Sequence, residues 1–290
     1  MKINLFTLKV LIASLSLCVI LTSFPGVPVF ADSFKSVTLG ADLSDIQKNE
    51  MLKYFEVTKN DANILEITSK EEHTLLGKVA SEAQLGNKSI SCSYIEPTEK
   101  GGLTVVTNNL TWVNDGMIKN ALITAGIENA NVKASAPFKV SGTAALAGIL
   151  KGFESSSAGK KIDENKKAIA NEELVTTGDI AEKIGQNDAS NLMNDIKKDV
   201  IKEKPKTDEE INKIVDKAIK EYGDKLSDED ISNIKDVMSK INSLDLNYNN
   251  LKDQLNDVTN QLKDKLSSAE AKGFFAKLSE MFSNLLDSIF

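Results

Sequence analysis

Hydrophobic and polar residues form short blocks along residues 36–154, and the blocks alternate between strand and helix periodicity. β-Branched runs predict strands at Ser36–Leu39, Asn63–Thr68, Ser89–Ile95, Leu103–Thr107 and Asn131–Ser135. Apolar positions at helical spacing predict helices at Ser44–Phe55, Lys70–Glu82, Asn114–Ala125 and Ser141–Glu154. Strands that alternate with helices indicate a sheet with helices packed on it. The predicted fold class of this part is therefore a small α/β (or α+β) domain.

Capping residues support these helices. Ser69 is expected to cap the helix that follows it, with Glu72 completing a capping box. Gly126 directly follows another predicted helix, where a C-terminal glycine is common. The order strand, helix, strand, helix occurs in residues 36–82 and again in residues 103–154. A β-α-β-α duplication is one interpretation, although the two copies share little residue identity.

Helix periodicity alone continues after a Ser/Gly-rich stretch at residues 155–161, which predicts a linker. Three apolar stripes follow, at Ile211–Tyr222, Ile231–Ile241 and Leu251–Leu266. Such faces bury themselves against one another, so a C-terminal all-helical, bundle-like domain is predicted. The sequence thus predicts an α/β domain at residues 32–154 and a helical domain at residues 162–290.

The first 31 residues have the composition of a secretory signal peptide. Lys2 and Lys9 accompany an apolar run at Val10–Phe24, and Val29–Ala31 fits the pattern of a cleavage site. Proline and glycine end the apolar run before the roughly 18 residues that a retained membrane anchor needs. We therefore expect cleavage after Ala31 and a secreted, extracellular protein.

Charge and cysteine content exclude several classes of protein. All 35 basic residues are lysine, and the net charge of −7 would become −9 once the two lysines of the signal are removed. Nucleic-acid partners usually meet clustered basic surface with arginine contacts, so we expect no nucleic acid. Cys92 is the one cysteine outside the signal, and a lone thiol forms no internal disulfide. The sequence contains no cofactor or metal motif, and we expect neither.

Several local strings are similar to one protein family. They are Thr38–Ser44, Glu71–His73, Leu76–Lys78, Ala136–Leu146, Glu173–Thr177 and the terminal Ser288–Phe290. Together they resemble the exported YpuA-like proteins of bacilli and clostridia, a family of unknown function. The resemblance implies export from a Gram-positive cell, and it implies no established activity, substrate or catalytic residue. This chain departs from the family at Cys92, where the relatives are serine-rich.

Glu71, Glu72 and His73 are the candidate catalytic residues, because carboxylates beside an imidazole can act as acid and base. The same residues also suit a helix N-terminus, where carboxylates complement the helix dipole. Cys92 and His73 would form a nucleophilic dyad only if their side chains lay within hydrogen-bond reach. A buried structural thiol is the alternative.

Ser141, Gly142 and Thr143 are candidate ligand-binding residues. They open a helix after a strand, and free backbone N–H groups at such a position can hold an anion. The alternative is close packing of this helix on the sheet, which the small residues between positions 144 and 148 permit.

Residues 268–290 form a predicted terminal amphipathic helix with a broad, aromatic-rich face. That face comprises Phe274, Phe275, Leu278, Met281, Phe282, Leu285, Leu286, Ile289 and Phe290. It can dock on the protein itself, on a partner or on a membrane. Membrane-seeking helices carry mainly basic residues opposite the apolar face, whereas lysines and acidic residues are mixed here.

These observations predict an exported, cell-envelope-associated protein that acts as a non-enzymatic binding or structural module. A cell-wall hydrolase that uses Glu71 or Glu72 with His73 is one alternative. A helical module for oligomerisation or peripheral membrane association is another. The expected partner is a cell-wall or other envelope component, and the sequence leaves the ligand and the oligomeric state open.

Overall fold

The computed structural model describes residues 34–266, with side chains from residue 34 to residue 260. The strands are β1 Ser36–Gly40, β2 Asn63–Ile67, β3 Cys92–Pro97, β4 Leu103–Leu110 and β5 Ala130–Val140. The helices are α1 Asp45–Tyr54, α2 Ser69–Leu76, α3 Glu82–Leu85, α4 Asp115–Thr124, α5 Thr143–Ser155, α6 Glu164–Ile184, α7 Gln186–Glu203, α8 Asp208–Ala218, α9 Asp228–Asn242 and α10 Tyr248–Leu266. A 3-10 segment, Ile219–Lys225, follows α8. The predicted signal peptide and the predicted terminal helix lie outside the described residues.

The five strands form one mixed sheet in the order β2-β1-β3-β5-β4. β1 pairs with β2 and β4 pairs with β5 in parallel, whereas β3 runs antiparallel to both of its neighbours. Four strands therefore run in one direction, and their carboxyl ends meet at one edge of the sheet. We call this the carboxyl edge, and it is also where β3 begins.

The two faces of the sheet have different neighbours. Val37 and Tyr94 point to the face covered by α1, where they are buried together with Phe55. The next residue in each strand points to the opposite face, which α5 covers. There Gly148 of α5 lies against Thr38, whose Oγ1 donates a hydrogen bond of 2.9 Å to the Gly148 carbonyl. The alternation follows from the two-residue period of a strand.

The structure does not confirm an internal duplication. Helix α1 connects β1 to β2 and packs with Val37 on one face of the sheet. Helix α4 connects β4 to β5 and packs with Val105 on the opposite face. A simply repeated β-α-β unit would keep the hand of its crossover and would place both helices on the same face. The two units share an order of elements but differ in three dimensions.

Five helices, α6 to α10, occupy the described residues beyond 160, so the predicted helical character of this part is confirmed. The three predicted stripes lie in α8 with the 3-10 segment, in α9 and in α10. Ser227 and Asp230 form the capping box that opens α9. One hydrophobic cluster contains Leu122 of α4 together with Leu174 of α6 and Ile196 of α7, so the core continues across the expected linker. Whether the two parts fold as separate domains stays a prediction. None of the helices within residues 34–266 is both long and apolar enough to cross a membrane.

Two element boundaries near the carboxyl edge were predicted wrongly. The expected helix Lys70–Glu82 is two helices, because α2 ends at Leu76 and α3 begins only at Glu82. The expected strand at Ser89 begins at Cys92. Residues 77–81 and 89–91, which were predicted as helix and strand, are loops beside the carboxyl edge.

Candidate functional site

Helix α2 begins one residue earlier than predicted, and this shift decides where its glutamates point. Thr68 is the N-cap, and its Oγ1 accepts a hydrogen bond of 3.2 Å from the Glu71 backbone N–H. The Glu71 carboxylate accepts in return from the Thr68 backbone N–H at 2.9 Å. The predicted capping box of Ser69 and Glu72 is therefore wrong. Glu72 is left free to turn inward.

Glu72 is a buried carboxyl at the carboxyl edge, with 1% of its surface exposed. Its Oε1 accepts a hydrogen bond of 2.5 Å from Thr143 Oγ1. Burial raises the pKa of Glu72 to about 7, and the Thr143 hydroxyl and nearby His73 offset only part of this effect. The side chain can therefore exist in both protonation states near neutral pH.

The start of α5 brings Thr143 to this position. Gly142 is the N-cap with a φ of 98°, and a Cβ there would lie 3.1 Å from Leu110 Cβ. The Ser141 carbonyl accepts hydrogen bonds from the backbone N–H groups of Trp112 and Val113, which follow β4. The loops after β4 and β5 are thus tied together, and they hold the first turn of α5 against Glu72.

A cleft of about 210 Å³ opens above this contact. Its floor contains Glu72, and one wall comes from the end of β5 and the start of α5. The other wall comes from α3 and the loop before β3. The lining residues are Glu72, Ala83, Gln84, Leu85, Gly86, Asn87, Lys88, Ile90, Ser91, Val140, Ser141, Thr143 and Ala144. Two segments that the sequence offered as separate candidates therefore meet in one cleft.

Glu71 and His73, the neighbours of Glu72, do not line this cleft. Glu71 pairs with Lys151 at 2.5 Å in a different groove, and that hydrogen bond lowers the pKa of Glu71. His73 Nδ1 lies 2.8 Å from the Ser69 carbonyl, and its Nε2 lies 3.2 Å from Glu82. These contacts raise the pKa of His73. The three adjacent residues thus have three different surroundings.

Cys92 is fully buried in the core beneath α1, and its Sγ lies 3.6 Å from the Ile90 carbonyl. Burial raises the pKa of the thiol to about 11, which disfavours the thiolate. Among the described contacts of His73 and Cys92, none joins the two side chains. A Cys–His dyad is therefore not assembled, and the thiol is structural.

The start of α5 is a poor site for an anion. The carboxyl of Glu72 already accepts a hydrogen bond from the first residue of the helix. A second negative group would meet a like charge there at and above neutral pH. The packing interpretation is confirmed for Gly148, because a Cβ at that position would lie 2.8 Å from Ser93 Oγ. No cluster of potential metal ligands occurs within the described residues.

Sequence inspection missed the wall formed by α3. Gln84 Oε1 accepts from the Ser81 backbone N–H at 2.7 Å, and its Nε2 donates to Asp179 of α6 at 2.5 Å. The Gln84 carbonyl lies 3.5 Å from Thr143 Oγ1, so the same residue also borders the site. The pattern Ser81-x-x-Gln84 is a capping-box signature and was the available signal. The candidate contact residues of the terminal helix lie outside the described residues.

Comparison with known proteins identifies a family and a relative. A family model described as "Protein of unknown function (DUF1002)" matches residues 39–258. The uncharacterized protein YpuA of Bacillus subtilis (strain 168) is 38% identical over 286 residues, which cover 97% of this chain and 98% of that protein. No solved structure matches the chain. The similarity spans every residue that forms the cleft.

Proposed function

The chain belongs to the DUF1002 family of proteins of unknown function, and from that premise we propose that it is an exported, non-enzymatic binding protein of the Gram-positive cell envelope. The observation that carries the proposal is the cleft over Glu72 and Thr143. In open α/β sheets, ligands commonly bind outside the carboxyl ends of the strands. This cleft lies at that edge.

Export is supported by the signal-like composition of residues 1–31, and the relative in Bacillus subtilis supports a Gram-positive envelope. The test is to express the full gene in a Gram-positive host and to recover the protein outside the cells. We expect its N-terminal residue to be Asp32 by mass spectrometry. A chain that stays inside the cells with Met1 intact would overturn the export proposal.

Wall binding is tested with the recovered protein and purified cell-wall sacculi. We expect co-sedimentation of the wild type and a clear loss with Glu72→Gln. Glu71→Gln is the matched control, since it makes the same chemical change one residue away in a different groove. Equal sedimentation of all three proteins would show that the cleft takes no part in wall binding. If none of the proteins sediments, the proposed function is wrong.

A wall hydrolase that uses Glu71 or Glu72 with His73 is the second candidate. Of these three residues only Glu72 lines the cleft, so Glu72 would have to act there without His73. The pKa of Glu72 is raised to about 7 by burial, which suits a general acid at neutral pH. Glycoside hydrolysis usually needs two carboxyl groups that flank the bond, and Glu72 is the one acidic residue that lines the described cleft. Release of reducing ends from sacculi, abolished by Glu72→Gln, would establish hydrolysis. An unchanged sacculus would exclude it.

The predicted terminal helix is the proposed site of membrane or partner contact. Its nine-residue apolar face, which is rich in phenylalanine, is the supporting feature. The full chain is compared with Phe275→Asp and Phe282→Asp in co-sedimentation with anionic liposomes. Loss of sedimentation in these variants would support peripheral membrane contact. If the wild type does not sediment, docking of this helix on the protein or a partner becomes the better hypothesis.

A further inference from the structure

When Glu72 is ionised, the polar atoms on the floor of the cleft leave hydrogen-bond acceptors free. Thr143 Oγ1 donates to Glu72 Oε1 at 2.5 Å, which is the shorter of its two contacts with an acceptor. The other oxygen, Oε2, has no hydrogen-bond partner among the described residues, although 99% of the Glu72 surface is buried. A buried carboxyl oxygen gains from a donor that enters the cleft and pairs with it.

Two further oxygen atoms surround the Thr143 hydroxyl. The Gln84 carbonyl lies 3.5 Å from Thr143 Oγ1, and Ser141 Oγ lies 3.4 Å from it. A carbonyl accepts only, and a hydroxyl accepts as well as donates. The floor therefore suits a ligand group that donates hydrogen bonds.

None of the described charged groups near Glu72 forms an ion pair with its carboxylate. Lys88 lies on the wall of the cleft, and His73 follows Glu72 on α2. His73 is engaged with Ser69 and Glu82, outside the cleft. On α6, Asp179 pairs with Gln84. An anionic group that reached the floor would therefore approach the Glu72 carboxylate, whose described hydrogen-bond partner is the neutral Thr143 hydroxyl.

The volume gives the approximate size of the group that the cleft covers. At about 30 Å³ for each water molecule, 210 Å³ corresponds to about seven waters. A single sugar ring or one amino-acid side chain has this order of size.

We infer that the cleft selects a ligand by a hydroxyl or amino group that donates a hydrogen bond to Glu72, and that it rejects phosphate and other anions. The inference rests on the proposed binding function and names the ligand chemistry of the same site. Sugar hydroxyls and peptide amines share this chemistry. Glu72 is the specificity-determining residue, and Thr143 is a positioning residue that fixes its carboxyl.

The test is calorimetric titration of the full chain with three probes: an oligosaccharide of N-acetylglucosamine, a short lysine-containing peptide and inorganic phosphate. We expect one of the two donor-bearing probes to bind and phosphate not to bind. Glu72→Gln is expected to weaken that binding at least about tenfold, as loss of a hydrogen bond to a charged group does. Glu71→Gln should bind as the wild type does.

The pH dependence separates a direct contact from a structural effect. Binding by the wild type should strengthen as pH rises through 7, because the ionised carboxyl is the stronger acceptor, and Glu72→Gln should abolish this dependence. Thr143→Val is the second variant if Glu72→Gln does not fold, and it should also weaken binding.

Several outcomes would overturn the inference. They are phosphate binding that Glu72→Gln strengthens, donor-probe binding that Glu72→Gln leaves unchanged, or no binding of either donor probe. Sacculus binding that persists in Glu72→Gln would reject the inference alone. Absence of sacculus binding, with probe binding intact, would overturn the proposed wall-binding function and leave the ligand chemistry of the cleft standing.

Discussion

Two buried glutamates, Glu72 in the cleft and Glu173 on α6, differ in how many hydrogen-bond donors surround their carboxyl groups. Glu72 and Glu173 are exposed by 1% and 0% of their surface. Glu173 Oε1 accepts from Lys197 Nζ at 2.8 Å, and its Oε2 accepts from Thr124 Oγ1 at 2.5 Å. Glu72 has a single neutral donor, Thr143. Complete pairing makes the first carboxyl structural, and incomplete pairing leaves the second one free for a ligand.

The surroundings of Lys197 complete the contrast. Besides Glu173, its Nζ donates to the Asn120 carbonyl at 2.8 Å and lies 3.3 Å from Thr124 Oγ1. Burial lowers the pKa of Lys197, and the Glu173 carboxylate opposes this effect. This pair joins α4, α6 and α7, so it lies where the sheet-forming part meets the helical part. A polar network of this kind is stable only while every member is paired.

The largest expected effect comes from breaking that pair. Lys197→Met should lower the free energy of unfolding by about 3–5 kcal/mol, because it leaves the Glu173 charge buried without its counter-ion. Urea denaturation of the full chain measures it. Lys240→Met is the control, since Lys240 pairs with Glu172 at 2.6 Å but is 42% exposed, and it should cost at most about 1 kcal/mol. Equal losses of unfolding free energy in the two variants would contradict the expected difference between the buried and the exposed ion pair.

The second effect is a pH-dependent stability from Glu72. Burial raises its pKa from 4.5 to about 7, so the stability that this carboxyl contributes is fully present below pH 4.5 and is lost as pH rises through 7. The shift corresponds to roughly 3 kcal/mol. The difference in free energy of unfolding between wild type and Glu72→Gln should fall by this amount between pH 4 and pH 8. A difference that stays constant over this range would show that the carboxyl is not desolvated.

A third effect tests how the sheet positions the cleft. Gly148→Val should cost about 1–3 kcal/mol, because its side chain would overlap Ser93 Oγ and push α5 away from the sheet. Helix α5 carries Thr143, so ligand binding should weaken with stability. Adding Ser93→Ala should recover part of the loss in a double-mutant cycle. Strictly additive losses would mean that this contact does not set the position of α5.

The order of elements was readable from the sequence because periodicity is local. Most of the strands and helices that were predicted with bounds lie within a few residues of them, and the stripe at Ile231–Ile241 lies in α9. Helices α6 and α7 were expected only as part of a helical region. The faces of the sheet were not readable, since nothing local distinguishes the crossover through α1 from that through α4. The placement of two helices on opposite faces is a property of the whole chain.

The sequence identified residues of the candidate site but not that they lie together. Glu72 and Thr143 were both candidates, but 71 residues separate them, and only the parallel strands bring them together. The interpretation of Glu72 as a capping residue failed because Ser69 and Thr68 are both good caps. Because Thr68 is the N-cap, Glu71 completes the capping box and the Glu72 side chain is buried inside the protein. One residue of register therefore separates a surface cap from a buried acid.

Glu71 provides the smallest effect and the sharpest control for this comparison. Its hydrogen bond with Lys151 lowers its pKa, so the stability it contributes is present above pH 4.5 and is lost as pH falls through the lowered value. This is the opposite sense to Glu72. Because the side chain is 41% exposed, solvent screens the pair and Glu71→Gln should cost less than about 1 kcal/mol.

Glutamine at position 71 can still complete the capping box with Thr68, so Glu71→Gln isolates the ion pair from the cap. Its effect on unfolding should therefore shrink further in 1 M salt, where exposed ion pairs are screened. The Glu72 effect should persist in the same salt, because desolvation rather than an exposed ion pair causes it. If salt removed both effects equally, Glu72 would be as accessible to solvent as its neighbour, and the distinction between the cap and the buried acid would fail.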